Sequence, residues 1–316
     1  MQKIVDDVRL IVKCCKLYYE ENYTQNEISN MMGVSRPTVS RILKEGKNLG
    51  IVKIEILSPL RKNFEELERQ TERRYNIREV IIVDDEAEDA VQKKQAAKAA
   101  AEYLQRIIKN GDVIGVSMGT TIKGISNYIT NPEKMELMFV PLIGGVGQSE
   151  VEIHPNEIVK DLAQAFGGEF KFLHAPAVVS NVNIKKELLK DKSIKEVLDY
   201  SRRCNIALVG VGSPFDKNST MMTTGYFNEQ DTKEFAVSGI VGDICLHFYD
   251  ITGDSERFDF NKRVIGVDLP GIKKINTVIG VACGEKKTAA IKGALNGKII
   301  DVLITNYSNA LAINKE

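Results

Sequence analysis

Five side chains in one short segment have the chemistry to read a DNA duplex. Arg36, Thr38, Ser40, Arg41 and Lys44 fall on the polar side of a helical pattern whose apolar side is Val39, Ile42 and Leu43. Guanidinium and ammonium groups neutralise phosphates, and the arginine fork matches the acceptor edge of guanine in the major groove. The hydroxyls of Thr38 and Ser40 suit bases or backbone. Between Val34 and Lys53 the chain carries Arg36, Arg41, Lys44, Lys47 and Lys53 against Glu45 alone, a local charge of +4 in a chain of formal net charge 0. Such a balance gives a local nucleic-acid footprint without indiscriminate adhesion to polyanions.

A second set of residues suits an anion. Val116-Ser117-Met118-Gly119-Thr120-Thr121 runs from an apolar strand pattern into a helical one. Backbone amides and hydroxyls at a helix start accept phosphate, although a plain strand-to-helix turn capped by Thr120 would read the same way. Lys287 falls in the first turn of another helix, where a cation opposes the dipole unless a ligand uses it; the alternative is a surface lysine. Glycine-rich turns recur at Pro141–Gly147 with Gly144 and Gly145, and at Leu208–Ser213 with Gly210 and Gly212. A further one at Gly239–Asp243 sets the Asp243 carboxylate where sugar hydroxyls could be held, and Ala282–Lys287 opens a helix. None is a Walker loop or a G-x-G-x-x-G fingerprint, so no nucleotide cofactor is expected. His154, His174 and His247 lack metal-ligand spacing, so no metal is expected either. No nucleophile–base pair stands out, and no catalytic residue is assigned. Asp243 and Glu285 are the two acid–base candidates that a rival enzyme reading would need.

The elements that must position these groups follow from caps and periodicity. Thr24 with Glu27 makes a capping box, Gly33 ends a first short helix, Ser35 caps a second, and Pro37 sits in that helix's first turn. This predicts a helix-turn-helix, with Gln25 steadying the first helix on phosphates. Ile4, Val8, Ile11, Cys15 and Tyr18 predict an amphipathic helix before it, packed on Ile28, Val39 and Ile42. The alternation in Gly50–Ile56 predicts a wing strand, and Ser58-Pro59 a boundary. Phe64–Tyr75 reads as a charged helix with Phe64, Leu67 and Thr71 on one side, either a connecting helix, a dimer contact or a solvated face.

From Arg78 onward apolar strands alternate with helices. Strands are expected at Val80–Val83, Asp112–Val116, Leu137–Leu142, Ile206–Val211, Ile244–Tyr249, Thr277–Ala282 and Val302–Thr305. Helices are expected at Ala87–Lys109, Thr120–Tyr128, Glu157–Phe166, Lys185–Leu189, Ser193–Arg202 and Lys287–Leu295. The fold class is α/β, a mainly parallel, doubly wound sheet behind a winged helix-turn-helix. At ~100–200 residues per domain, 316 residues make two, residues 1–57 for DNA and residues 58–316 for an effector. The five cysteines show no C-x-x-C pair, the N-terminus no secretory signal, and no apolar run approaches the ~18 residues of a membrane span. A reduced, cytoplasmic location without membrane partners is expected.

These motifs, in this order, resemble the SorC-type family of sugar-binding transcriptional regulators, which includes deoxyribonucleoside and central glycolytic gene regulators. The resemblance runs through Thr24-Gln25, Ile28, Gly33–Arg41 and Leu43, then Gly119-Thr120-Thr121, Pro141-Leu142 with Gly144-Gly145, Ala175-Pro176, Leu208–Gly212, Gly242-Asp243, Gly284 with Lys287, Ala290-Ile291 with Ala294-Leu295, and Leu303–Thr305. It implies an effector domain similar to sugar-phosphate isomerases and glucosamine-6-phosphate deaminase, kept for sensing and not for catalysis. It also implies phosphate held at Gly119, Thr120, Thr121 and Lys287, and homo-oligomers, often tetramers. Cys283 stands where a second glycine is usual and Asn306 where an aspartate is usual. The function expected is a regulator of a carbohydrate or nucleoside catabolic operon, a repressor bound to double-stranded operator DNA and controlled by a phosphorylated sugar. The alternatives are a sugar-phosphate isomerase or deaminase carrying a DNA-binding module, and an architectural DNA binder.

Overall fold

A computed structural model describes residues 7–54, 64–145, 153–214, 226–227 and 229–315. They form two compact units, divided between Asn63 and Phe64. The boundary expected at residues 57 and 58 lies outside the described residues.

The first unit is a three-helix core. Helix α1 (Val8–Tyr19) starts at Asp7, whose carboxylate accepts from the amides of Arg9 and Leu10. Helix α2 (Gln25–Met32) opens on the expected capping box: Thr24 N–H donates to Glu27 Oε2 at 2.8 Å, and Glu27 N–H to Thr24 Oγ1 at 3.3 Å. Gly33 closes it at φ 65°, a left-handed angle that glycine takes without steric cost. Helix α3 (Arg36–Asn48) follows with Pro37 in its first turn. Ile11, Cys14, Cys15, Leu17, Ile28, Val39, Ile42 and Leu43 make the core.

Three local expectations change. Val8 is 56 % exposed and stands outside the apolar stripe assigned to it. Ser35 occupies the cap position without a side-chain cap bond, because its hydroxyl pairs with that of Thr38 at 2.9 Å. The wing strand does not form over residues 50–54, and Glu55 and Ile56 lie outside the described residues.

The second unit is built on seven parallel strands: β1 (Glu79–Val83), β2 (Val113–Val116), β3 (Met138–Pro141), β4 (Glu169–Phe170), β5 (Ile206–Gly210), β8 (Thr277–Ala282) and β9 (Val302–Asn306), in the order β1-β9-β8-β5-β2-β3-β4. From β2 the chain adds β3 and β4 on one flank, then β5 and β8 on the other. The order therefore reverses between β2 and β5, the switch point where open α/β sheets form a crevice. Strand residues alternate between two cores. Ile206 and Leu208 of β5 face one that holds α5 (Asp89–Ile107) and α7 (Pro155–Phe166). Ala207 and Val209 face the other, with α12 (Thr288–Asn296) and α13 (Tyr307–Asn314). Burial on both faces explains why these strands read as unbroken apolar runs.

The remaining helices are α6 (Thr120–Gly124), continued by a 3-10 turn to Tyr128, α8 (Val182–Leu188), α9 (Lys192–Arg202), α10 (Glu229–Ser238) and α11 (Leu269–Ile272).

Helix α4 (Glu65–Tyr75) begins this unit and is not a solvated face, since Thr71 and Tyr75 are buried. It covers the free edge of β1. Val80 N–H donates to Glu72 Oε1 at 3.0 Å and Ile82 N–H to Glu68 Oε1 at 2.9 Å. Four helical residues advance ~6 Å and two strand residues ~6.6 Å, so the two periods match. The carboxylates stand in for a missing strand and blunt the edge.

The strand expected at Ile244–Tyr249 is a turn between two strands. β6 (Ile240–Ile244) pairs antiparallel with β7 (His247–Asp250) across Cys245 and Leu246, both at positive φ of 52° and 58°. Hairpins of this kind usually place Asn-Gly or Asp-Gly there. With Cys-Leu the turn signal is missing, and the apolar run hid the reversal. Asp243 Oδ2 accepts from Leu246 N–H at 3.2 Å and helps to hold the turn.

Gly46 in α3 lies against α1, where an added Cβ would sit 2.5 Å from Cys15 Sγ. Gly46→Ala should destabilise the first unit by about 1–3 kcal/mol of overpacking, partly offset by about 1 kcal/mol of helix propensity. Adding Cys15→Ala should recover the loss. Thermal unfolding of the full chain decides it, and a Gly46→Ala protein as stable as the parent would refute the close approach.

Candidate functional site

The exposed side of α3 presents Arg36, Ser40, Arg41 and Lys44 to solvent. Among the described residues none of Arg36, Arg41 and Lys44 belongs to an ion pair, so their charges are available to a partner. Thr38 is half-buried and tied to Ser35, so it is less open than the sequence suggested. Gln25 is half-buried at the start of α2. Beside them, Lys47 stands 5.8 Å from the ring centroid of Tyr19, a cation–π contact.

At the carboxyl ends of the central strands a cleft of about 530 Å³ opens at the switch point. Gly119, Thr120, Thr121, Gly210, Gly212, Asp243 and Lys287 all line it, gathered from four separate stretches of chain. Gly119, not Thr120, holds the cap position of α6, at φ 135° and ψ 150°. That angle is reached almost only by glycine. First-turn amides of a helix have no intrahelical acceptor, and here they belong to residues on the cleft wall. Lys287 occupies the cap position of α12, after a 3-10 turn at Glu285–Lys287.

Asp243 is the least conventional group. It is 5 % exposed, and its Oδ1 has no hydrogen-bond partner. A Cβ on Gly212 would collide with that oxygen, so the glycine is what admits the carboxylate. Burial pushes the Asp243 carboxyl up to about 6, while Lys287 and the Leu246 amide pull it down.

Gly144 and Gly145, expected as effector ligands, are not among the described residues that line the cleft. Gly144 is pinned to the Ala175–Pro176 backbone, where a Cβ would lie 2.6 Å from Ala175 O. Gly145 approaches the His154 ring, and its N–H donates to Ala175 O at 2.7 Å. Gly144 thus admits a close backbone approach and Gly145 the close approach of the His154 ring. Val146 and Gly147 lie outside the described residues. The side chain of Glu285, one of the two acid–base candidates, is likewise not described.

The sequence reading missed the wall formed by Asp85, Glu86, Asp89 and Lys93, together with Asn306 and Ser308 at the end of β9. The apolar run Val80–Val83 ending in Asp84-Asp85 carried the signal, because it is one more strand end. Asp85 is the hub: Asn306 Nδ2 and Ser308 N–H donate to its Oδ1 at 2.6 and 3.0 Å, and Ser308 Oγ donates to Oδ2 at 2.6 Å. Asn306 Oδ1 accepts from Gly284 N–H at 3.2 Å and from Asn309 Nδ2 at 2.7 Å. An amide therefore suits position 306, since it donates to one neighbour and accepts from two. Cys283, the other departure from the family pattern, packs against the α5 side of the sheet, and burial pushes its thiol up to about 12.

Asn306→Asp would set a second carboxylate against Asp85 and raise the pKa of the pair. Stability should be near normal at acidic pH, where one proton is shared, and should fall as pH rises through that raised pKa. The loss should be about 1.5–3 kcal/mol, the range for a hydrogen bond to a charged group. Thermal melts at pH 5 and pH 8 test it; an equal deficit at both would remove Asn306 from this role.

Comparison with known proteins finds a family match for each of the two units. The family model described as a sugar-binding domain matches residues 61–314, and that of sigma-70 region 4 matches residues 10–47. The chain is 33% identical over 306 residues to the deoxyribonucleoside regulator of Bacillus subtilis, covering 96% of this chain and 97% of that protein. It is 30% identical over 311 residues to the sorbitol operon regulator of Klebsiella pneumoniae, with coverage of 96% and 97%. The crystal structure of full-length SorC from Klebsiella pneumoniae superposes with a TM-score of 0.74 at 30% identity, over 98% of this chain and 100% of that one. A DeoR family regulator from Listeria monocytogenes gives 0.72 at 34% identity, over 78% and 98%. No described helix is long and apolar enough to cross a membrane. The chain belongs to the SorC family of transcriptional regulators, with a helix-turn-helix for DNA and a sugar-binding domain behind it.

Proposed function

We propose that this regulator is a repressor of a carbohydrate or nucleoside catabolic operon and that a phosphorylated sugar in the cleft controls its grip on operator DNA. The observation that carries the reading is the composition of the cleft. A phosphoryl group would rest on the amides of Gly119, Thr120 and Thr121 with Lys287 as countercharge. The sugar hydroxyls would donate to Asp243, whose Oδ1 has no hydrogen-bond partner among the described residues. Gly210 and Gly212 would keep the floor low enough for the ligand. Arg36 and Arg41 would take guanines or phosphates, and Lys44 phosphates. Thr38, Ser35, Ser40 and Gln25 would contact bases or backbone. Two copies in a dimer or tetramer would set recognition helices on half-sites ~34 Å apart or a multiple of it. The names of the relatives support the choice between pentose and polyol chemistry, since one regulates deoxyribonucleoside and the other sorbitol genes.

The proposal includes no cofactor, no metal and no catalysis. An isomerase or deaminase needs an acid and a base placed on opposite sides of a reacting carbon. Asp243 shares the cleft with Asp85, Glu86 and Asp89, of which Asp85 is tied to Asn306 and Ser308 and Asp89 to Lys93. Turnover of ribose, glucosamine or fructose phosphates by the purified protein would overturn this part.

The central experiment is a mobility shift on operator DNA with and without sugar phosphates. One of them should change DNA affinity by about 5–150-fold, the usual span of a coupling of ~1–3 kcal/mol. If none does, the sensing role fails. Arg41→Ala should abolish specific binding while leaving the thermal shift by the sugar intact; undiminished operator affinity would remove Arg41 from the reading face.

Asp243 gives a pH signature. Its folded pKa of about 6 lies above the 3.8 of a free aspartate, so the folded state holds the proton more tightly. Its contribution to stability is present below pH 4 and is lost as pH rises to about 6. Asp243→Asn should remove this descending limb and raise the melting temperature above pH 6, while weakening sugar-phosphate binding. An unchanged stability profile between pH 4 and 6 would refute the buried carboxylate.

A further inference from the structure

We infer that α13 is a strut between the cleft and α4, and that Thr71, Tyr75 and Asn314 are positioning residues for the control of DNA binding. The inference rests on the reading of the cleft as the effector site, and it adds the route by which occupancy is felt elsewhere.

Helix α13 is eight residues long, so its ends lie ~12 Å apart. Its first turn belongs to the cleft rim. Ser308 is bonded to Asp85 through both N–H and hydroxyl, and the buried Asn309 donates to Gly284 O at 2.9 Å. Asp85, Gly284, Asn306 and Ser308 all line the cleft. Its first residue, Tyr307, stacks on Phe64 at the cap of α4 with ring centroids 5.2 Å apart, and its last turn is hydrogen-bonded to α4. Tyr75 Oη donates to Ile313 O at 2.8 Å, Asn314 Nδ2 to Thr71 Oγ1 at 2.6 Å, and Arg74 Nη1 to Asn314 O at 2.6 Å. Thr71 is fully buried, and Tyr75 is 8 % exposed.

A second connection runs in parallel. Asp85 lies two residues beyond β1, and β1 is the strand whose edge amides are held by Glu68 and Glu72 of α4. Two elements bonded to α4, α13 and β1, thus meet at Asp85, and Lys298 adds a hydrogen bond to Tyr75 O. A ligand that takes a hydrogen bond from Asp85, Asn306 or Ser308 changes the seat of both. Packed interiors respond by shifting between discrete arrangements and not by stretching, so α4 must answer. Helix α4 is the first element of its unit, next in sequence to residues 55–63, which lead from the helix-turn-helix.

Hydrogen exchange by mass spectrometry on the full chain tests this without a known effector. Ser308→Ala removes one hydroxyl at the cleft rim. Exchange in residues 65–75 should become about 2–10-fold faster, the factor that one lost hydrogen bond produces, while α9 (Lys192–Arg202) stays unchanged as an internal control. In a Thr71→Val/Tyr75→Phe background the same substitution should add nothing to exchange in α4. An α4 that does not respond to Ser308→Ala, or an increment that survives in that background, would overturn the strut. A ligand arm uses inorganic phosphate, ribose 5-phosphate, glucosamine 6-phosphate and fructose 6-phosphate. If none protects the cleft, the effector reading fails, whereas the strut has already been judged on the first arm. Protection of the cleft with no change in α4 would also overturn the strut.

Discussion

A parallel sheet puts the carboxyl ends of its strands side by side, and no hairpin closes them. The polar groups exposed there must bind one another or bind something else. In this chain the first need is met by a single carboxylate. Asp85, just after β1, accepts from Asn306 and Ser308 at the end of β9, and Asn306 in turn accepts from Gly284 after β8 and from Asn309. Three neighbouring strand ends are held by one network of charge-assisted and amide hydrogen bonds, shorter and stronger than neutral pairs. The rest of the cleft depends on it. That side of the rim is bonded to itself, while Gly119–Thr121 and Lys287 line the same cleft.

The cleft therefore has two unlike halves and a floor that is costly in an empty protein. Asp85, Glu86 and Asp89 line it together with Lys93, Lys286 and Lys287. Asp89 and Lys93 are paired at 2.7 Å. Below them Asp243 keeps a buried oxygen without a donor. Burying such a group costs free energy unless a partner arrives. On the reading proposed above, a polyhydroxylated ligand would bring donors to that oxygen and so offset the cost.

Much of this arrangement was legible in the sequence, for physical reasons that can be named. The helix-turn-helix could be read because every device in it is local: the Thr24–Glu27 box, the left-handed Gly33 and the Pro37 start each act within four residues. The central strands could be read because burial on both faces makes them unbroken apolar runs. Gly119, Gly210, Gly212, Asp243 and Lys287 could be placed together because strand ends in such sheets converge. What escaped were features set by distant partners. The β6–β7 turn at Cys245–Leu246 carries no glycine or asparagine. Gly144 and Gly145 look like ligand-binding glycines, but their neighbours are the Ala175–Pro176 backbone and His154, which no spacing reveals. Helix α4 could be read as a connecting helix, a dimer contact or a solvated face, and its pattern did not reveal that two of its carboxylates serve as the missing strand beside β1.

The energies involved are of one size, and that makes the assembly workable as a switch. A buried hydrogen bond contributes about 0.5–1.5 kcal/mol net, and the coupling between an effector and a second ligand is typically ~1–3 kcal/mol. One or two bonds at the Asp85 network, or at the contacts of Tyr75 and Asn314, are thus enough to move an operator affinity by an order of magnitude. A stronger joint would not serve. Were Asp85, Asn306 and Ser308 held by many tens of kcal/mol, a small sugar could not compete for any of them. Were they unbonded, occupancy of the cleft would have nothing to displace. The polar residues at this rim, and not the apolar cores beneath it, set the range of ligand affinities over which the regulator can respond.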